Sequence, residues 1–162
     1  MEGGKTDVLL LAESHLGPIL RDCAQGYPEE VCGVLVGRVH DGGVRLVEDV
    51  IPLRNERNEE RTHRYLIGPD EFRRAEAEAT AQSREILGFY HSHPDHPALP
   101  SSFDKEHAWP WYAYVIVPVQ TGVAGRPRAW RLADDRSRFR QIRIAREDDV
   151  ALESATQPEG TA

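Results

Sequence analysis

Two histidines, His91 and His93, and an aspartate at position 104 place three possible metal ligands within fourteen residues of one another. Two imidazoles and a carboxylate suit zinc, which in catalytic sites takes three protein ligands and keeps its fourth position for water. The chemistry on offer is metal-assisted hydrolysis. Each half of the pattern is common by itself. A His-x-His pair is often a solvated pair, and Ser101-x-x-Asp104 resembles a helix capping box with Asp in place of Glu. Their combination is what points to a site. Asp95 and His96 are further ligand types nearby, but nothing in the proline-rich loop aims them at an ion, and both read as loop residues.

The elements needed to hold these ligands can be read from the same stretch. Glu85 to Tyr90 is a short apolar run bounded by polar residues, as expected of a buried strand, and His91 and His93 extend it. Two residues apart in extended backbone, the histidines face the same side. Pro94, Pro97 and Pro100 forbid helix through the loop that follows, Ser101 and Ser102 offer helix caps, and Asp104 falls in the first helical turn. A strand end and a helix start can thus converge on one ion. A hydrolytic site also needs a base for the water proton. Glu29 and Glu30 both stand at the start of another apolar strand, Val31 to Val39.

Glu30-x-Cys32-Gly33-x-Leu35-x-Gly37, followed by His91-Ser92-His93-Pro94, the spacer to Pro100 and Ser101-x-x-Asp104, resembles the JAMM (MPN+) zinc metalloproteases, with every signature position filled. The resemblance implies that His91, His93 and Asp104 bind one zinc ion, that Glu30 rather than Glu29 shuttles the proton, and that Ser101 hydrogen-bonds the developing oxyanion. Ser102 is then left as the helix cap. It implies attack of zinc-activated water on an amide carbonyl, with no covalent acyl-enzyme. It also implies an α/β fold, a mixed sheet flanked by helices similar to the cytidine-deaminase-like sandwich, over roughly residues 8–145. Deaminase chemistry itself is not expected, because the His-x-Glu and Pro-Cys-x-x-Cys ligand sets are missing.

The rest of the chain agrees with one α/β domain. Leu16, Ile19, Leu20 and Cys23 have helical spacing, stopped by Gly26-Tyr27-Pro28. Asp41-Gly42-Gly43 predicts a hairpin turn, with Val44 to Leu53 returning beside the preceding strand. Arg54 to Arg64 reads as a charged loop or flap, and Tyr65 to Ile67 as a short strand. Pro69 opens a helix to about Gln82, Tyr112 to Val119 is a strand, and the strands Ala129–Leu132 and Phe139–Ile144 are expected to pair. Tyr90 is expected to pack beneath the site. Trp109, Trp111 and Tyr112 should line its rim or the core, and His107, about one turn after Asp104, is a candidate to orient a ligand. His15, His40 and His63 read as surface residues.

The net charge of −7 is concentrated at one end: residues 147–162 hold Glu147, Asp148, Asp149, Glu153 and Glu159 without a lysine or arginine. The division expected is a domain over 1–146 and an acidic, disordered tail over 147–162. Upstream, Arg126, Arg128, Arg131, Arg136, Arg138, Arg140, Arg143 and Arg146 form a basic run that reads either as a solvated strand face or as a docking surface for an acidic protein. Cys23 and Cys32 have no metal-ligand spacing and are expected to be reduced. No apolar stretch approaches a membrane span and no basic leader precedes Val8, so a cytoplasmic protein is expected.

Substrate class comes from the resemblance. The compact chain is similar to small prokaryotic members that act on ubiquitin-like sulfur-carrier proteins, which implies cleavage after a Gly-Gly tail, with that tail added along a sheet edge. Two other readings share parts of the pattern. A RadC-like nucleic-acid-associated protein sits poorly with the acidic charge and scattered aromatics, and a non-catalytic MPN scaffold sits poorly with a full set of ligands.

Overall fold

The computed structural model describes residues 7–53 and 67–146. The chain runs β1 (Val8–Leu10), α1 (Glu13–Gly26), β2 (Cys32–His40), β3 (Val44–Leu53), α2 (Pro69–Ala81), β4 (Glu85–Pro94), α3 (Ser102–His107), β5 (Ala113–Gln120), β6 (Val123–Ala124), β7 (Arg128–Leu132) and β8 (Phe139–Ala145). The expected strands and helices within the described residues are all present, and the Asp41–Gly43 turn connects β2 to β3 with Gly42 at φ 80, where a Cβ would be disfavoured. Neither β1 nor β6 was expected, and Ile67 belongs to no strand. The Arg54–Arg64 loop, the rest of the Tyr65–Ile67 segment, His63 and the acidic end lie outside the described residues.

Pairing follows the order β4-β2-β3-β1-β8-β7-β5-β6, and a further β4–β5 ladder closes the sheet on itself. β1 runs parallel to both β3 and β8, and β4 parallel to β5, while the other ladders are antiparallel. This is the mixed sheet with flanking helices, α/β, that the sequence implies.

Two apolar layers explain why the sheet is covered on both sides. On one side α1 contributes Ile19 and Cys23, four residues apart on one helical face, against Leu9, Leu35, Leu87, Tyr90, Val115 and Ile142. On the other, α2 turns Ala75 and Ala79 onto Val34, Val36, Phe89 and Tyr114. β4 lies between the layers, and all of it after Glu85 is buried. That explains an apolar run without alternation. Close approach of β4 to β5 requires Gly88, since a Cβ there would stand 1.9 Å from the carbonyl oxygen of Ala113. Gly33 is needed because a Cβ would meet the ring of Tyr90 at 2.2 Å.

The end of the curled sheet away from the histidines holds a charged cluster. Asp7 accepts from Arg45 at 3.4 Å and from Arg131 and Arg140 at 2.7 Å each, and Arg45 lies 5.0 Å from the centre of the Trp111 ring. Arg136 donates to the carbonyls of Lys105, Glu106 and Ala108 behind α3. The basic run is therefore not one face available to a partner: Arg131 and Arg140 face Asp7 and Arg136 braces a helix end. Among the described residues no helix is long and apolar enough to cross a membrane.

Candidate active site

Phe89 packs under α2, so the strand alternation carries His91 and His93 to that same outer side of β4. Tyr90 and Ser92 point the other way. Tyr90 lies beneath the histidines in the α1 layer, fully buried, with its hydroxyl donating to Asp22 at 2.7 Å. The loop after β4 is fastened at several points. His93 Nδ1 stands 2.8 Å from the carbonyl oxygen of Pro97, and the Trp130 indole N–H donates to the carbonyl of Ala98 at 3.1 Å. Asp104 follows in the first turn of α3, as expected.

His91, His93 and Asp104 converge in a buried cluster. The two Nε2 atoms are 3.2 Å apart, and each lies 3.1 Å from an oxygen of Asp104. A tetrahedral zinc ion bound at about 2.0–2.1 Å sets neighbouring ligand atoms roughly 3.3 Å apart, so these separations match the edges of its coordination shell. Proton accounting favours a cation as well. A carbonyl beside His93 Nδ1 requires the proton on that nitrogen, which leaves a lone pair on Nε2. Burial, the largest influence, pushes the His91 pKa down against the pull of Asp104. Burial raises the Asp104 carboxyl, but the His91 charge and the hydrogen bonds from His91, His93 and the Ser101 amide together hold it well below the usual carboxylate range. A carboxylate and two imidazole nitrogens turned to a common focus make a donor set that fits zinc.

Glu30 is 5% exposed and lies just before β2. The β2–β4 register pairs Cys32 with His91. One residue further, Val31 and Ser92 bond twice: the Val31 amide donates to Ser92 Oγ at 2.9 Å, and the Ser92 amide donates to the Val31 carbonyl at 3.0 Å. Cross-strand partners share a side of the sheet, so Cys32 lies on the side of the histidines, and Glu30 is two residues before it, outside the ladder. Glu29, in contrast, is exposed. Burial pushes the Cys32 thiol up to about 12, too high for a nucleophile.

Ser101 corrects one expectation. It is Ser101, not Ser102, that caps α3: its hydroxyl oxygen accepts from the Asp104 amide at 3.1 Å, and its own amide donates to Asp104 Oδ2 at 2.8 Å, completing a capping box. The hydroxyl accepts in this contact, so its proton is still available to an oxygen outside. Capping and catalysis are compatible in one exposed serine. His107 does not orient a ligand. It stacks on Phe103 and its Nδ1 meets the Phe103 carbonyl at 3.0 Å. Beside α3, a groove of about 1190 Å³ is lined by Phe72, Phe89, Phe103, Trp109, Trp111 and Tyr112 among others. The aromatics expected at the rim or core line this groove, with Trp109 66% exposed. Ser92, Asp95, Tyr27 and Trp130 were missed as supports of the site. Their partners are distant in sequence, and only the position of Ser92 between the histidines hinted at a role.

Residues 12–133 match the family described as prokaryotic homologs of the JAB domain. The chain belongs to this family. As a prokaryotic JAB protein it is a JAMM-type hydrolase. It is 36% identical over 119 residues to a desampylase of Haloferax volcanii, covering 73% of this chain and 78% of that protein. It is 40% identical over 100 residues to a probable TtuB-protein conjugate cleaving protease of Thermus thermophilus, covering 61% of this chain and 60% of the relative. A solution structure of a Salinibacter ruber protein has 43% sequence identity and a TM-score of 0.69, covering 86% of this chain and 92% of the other. The matched residues 12–133 include Glu30, His91, His93, Ser101 and Asp104.

Proposed function

We propose that the protein is a zinc-dependent peptidase or isopeptidase that hydrolyses an amide bond at the C-terminus of a ubiquitin-like protein, after a Gly-Gly tail of the sulfur-carrier type. The observation that carries the reading is the convergence of His91, His93 and Asp104 at zinc-edge spacing; Glu30, buried two residues before the Cys32–His91 pair, is the candidate base. The conjugate-cleaving names of the Haloferax and Thermus relatives support the substrate class.

His91, His93 and Asp104 would hold the zinc, which when bound supplies Lewis-acid activation of water. Glu30 takes the proton of the attacking water and returns it to the leaving amine. The Ser101 hydroxyl donates to the carbonyl oxygen as charge develops there. Pro97 fixes the tautomer and orientation of His93 through its carbonyl, and the Ser101 amide orients the Asp104 carboxylate. The substrate tail does not add as a strand to β4, because β2 and β5 pair with both of its edges. The groove beside α3 is lined by Phe103, Glu106 and His107 of that helix and by Phe89 of β4, two residues before His91.

The test compares wild type with Glu30→Gln for zinc content and for trimming of a ubiquitin-like carrier extended beyond Gly-Gly, followed by intact mass. Both proteins should hold about one zinc per chain, and wild type alone should release the extension. Zinc without cleavage would refute the substrate assignment, and loss of zinc from wild type would refute the site.

A further inference from the structure

Glu30 stands on a short connection between α1 and β2, and that connection is tied to β4 on both sides of it. On the C-terminal side the tie is the double hydrogen bond between Val31 and Ser92. On the N-terminal side, three residues before Glu30, the Tyr27 hydroxyl donates to Asp95 Oδ2 at 2.7 Å. Both ties end in the segment bearing the histidines: Ser92 lies between them and Asp95 two residues beyond His93. Asp95 is itself held firmly. Its Oδ1 accepts from the Thr121 amide at 3.0 Å, and its own amide donates to the Val119 carbonyl at 2.7 Å. It adopts φ 57, a left-handed conformation in which aspartate is tolerated. Gly26 lets the connection fold back on itself, since a Cβ there would lie 2.1 Å from Val31 Cγ1.

We infer that Tyr27 and Asp95 form a clamp that positions Glu30 over the histidine pair for proton transfer. This rests on the peptidase reading with Glu30 as base. Without the Tyr27–Asp95 bond, the connection loses its side-chain tie to the segment that follows His93, and the carboxylate samples positions away from the attacking water. Proton transfer falls off steeply with misplacement of the base, whereas substrate contacts are untouched. The metal ligands keep their own supports at Pro97 and Ser101. The clamp therefore acts on kcat. Tyr27 and Asp95 are positioning residues.

The experiment measures steady-state cleavage of the extended ubiquitin-like carrier by wild type, Tyr27→Phe, Asp95→Ala, Asp95→Asn and the Tyr27→Phe/Asp95→Ala double variant, with zinc content and circular dichroism for each. Tyr27→Phe and Asp95→Ala should lower kcat about 10-fold or more, with KM within about twofold and zinc unchanged. Tyr27→Phe should add nothing in the Asp95→Ala background, because both remove the same bond. Asp95→Asn keeps an acceptor oxygen and should recover part of the rate, and it serves as the informative variant if Asp95→Ala fails to fold. Full kcat in both single variants, additive losses, or a rise in KM at constant kcat would overturn the inference. An inactive wild type would sink the peptidase reading and this inference with it, whereas an active wild type with unaffected variants would sink the inference alone.

Discussion

Replacing Ser101 with alanine separates the capping role seen in the structure from the oxyanion role proposed for the same hydroxyl group. As the cap of α3, Ser101 accepts from the Asp104 amide at 3.1 Å, and losing such a cap costs about 1 kcal/mol. In a domain of this size that corresponds to a fall of roughly 2–4 °C in Tm. As donor to the developing oxyanion, the same hydroxyl is worth about 10²–10³ in kcat, or roughly 3–4 kcal/mol of barrier. The catalytic loss therefore exceeds the stability loss several-fold. The Ser101 amide still donates to Asp104 Oδ2 in the variant, so zinc binding persists and the kcat loss is not a metal effect. Ser101→Thr restores both an acceptor and a donor and should recover most of each quantity. The assay pairs thermal melts of the zinc-loaded proteins with cleavage rates on an extended ubiquitin-like carrier. A Ser101→Ala variant that melts lower but cleaves at the wild-type rate would refute the oxyanion role and leave a cap. One that cleaves slowly with an unchanged melt would refute the capping argument.

Gly88→Ala drives a Cβ to within 1.9 Å of the Ala113 backbone, which no rotamer change relieves, so urea unfolding should show a loss of about 3 kcal/mol or more and partly insoluble expression. Asp7→Asn leaves Arg45, with a side chain only 4% exposed, without its counter-charge, and should destabilise by about 3 kcal/mol at neutral pH. Burial raises the Asp7 carboxyl, but Arg131, Arg45 and Arg140 together hold it below its ordinary 3.8, so its stabilisation is complete above that value and disappears as pH falls through the lower folded one. Acid unfolding curves of wild type should therefore be steeper below about pH 4 than those of Asp7→Asn. Cys23 and Cys32 are free and fully buried, with thiols pushed upward by burial, so iodoacetamide should label neither in the native protein and both in urea, as read by intact mass.

The ligand half of the site was legible because its pattern is local. His91 and His93 share a strand face by alternation alone, and the prolines and serines between them and Asp104 dictate a loop and then a helix start. The central elements were legible for the same reason: Ala75 and Ala79, Ile19 and Cys23, and the uninterrupted apolar run of β4 each announce a buried face. What escaped depends on distance along the chain. β1 has three residues and no pattern of its own, and it is a strand because β3 and β8 flank it. The Tyr27–Asp95 bond joins residues 68 apart, with nothing at either position to predict the other. The choice between Ser101 and Ser102 as cap turned on backbone geometry within one residue, finer than spacing resolves. The arginine run looked continuous in sequence, but strand alternation sent Arg131 and Arg140 to Asp7.

Closure of the sheet has a consequence for the order in which the molecule is made. The strands around the site, β2, β3, β4 and β5, are contributed by the stretch from Cys32 to Gln120, with local hairpin and crossover connections. The ring is completed only when β8, ending at Ala145, is inserted between β1 and β7. On the ribosome, the ligand-bearing half can pair while β8 is still in the exit tunnel, and β1, which can pair with β3 early, must wait for its second partner, β8, more than a hundred residues away. Such late, long-range pairing is the slow step expected of this topology, and until it occurs the open flank of β7 is a surface for mispairing between nascent chains.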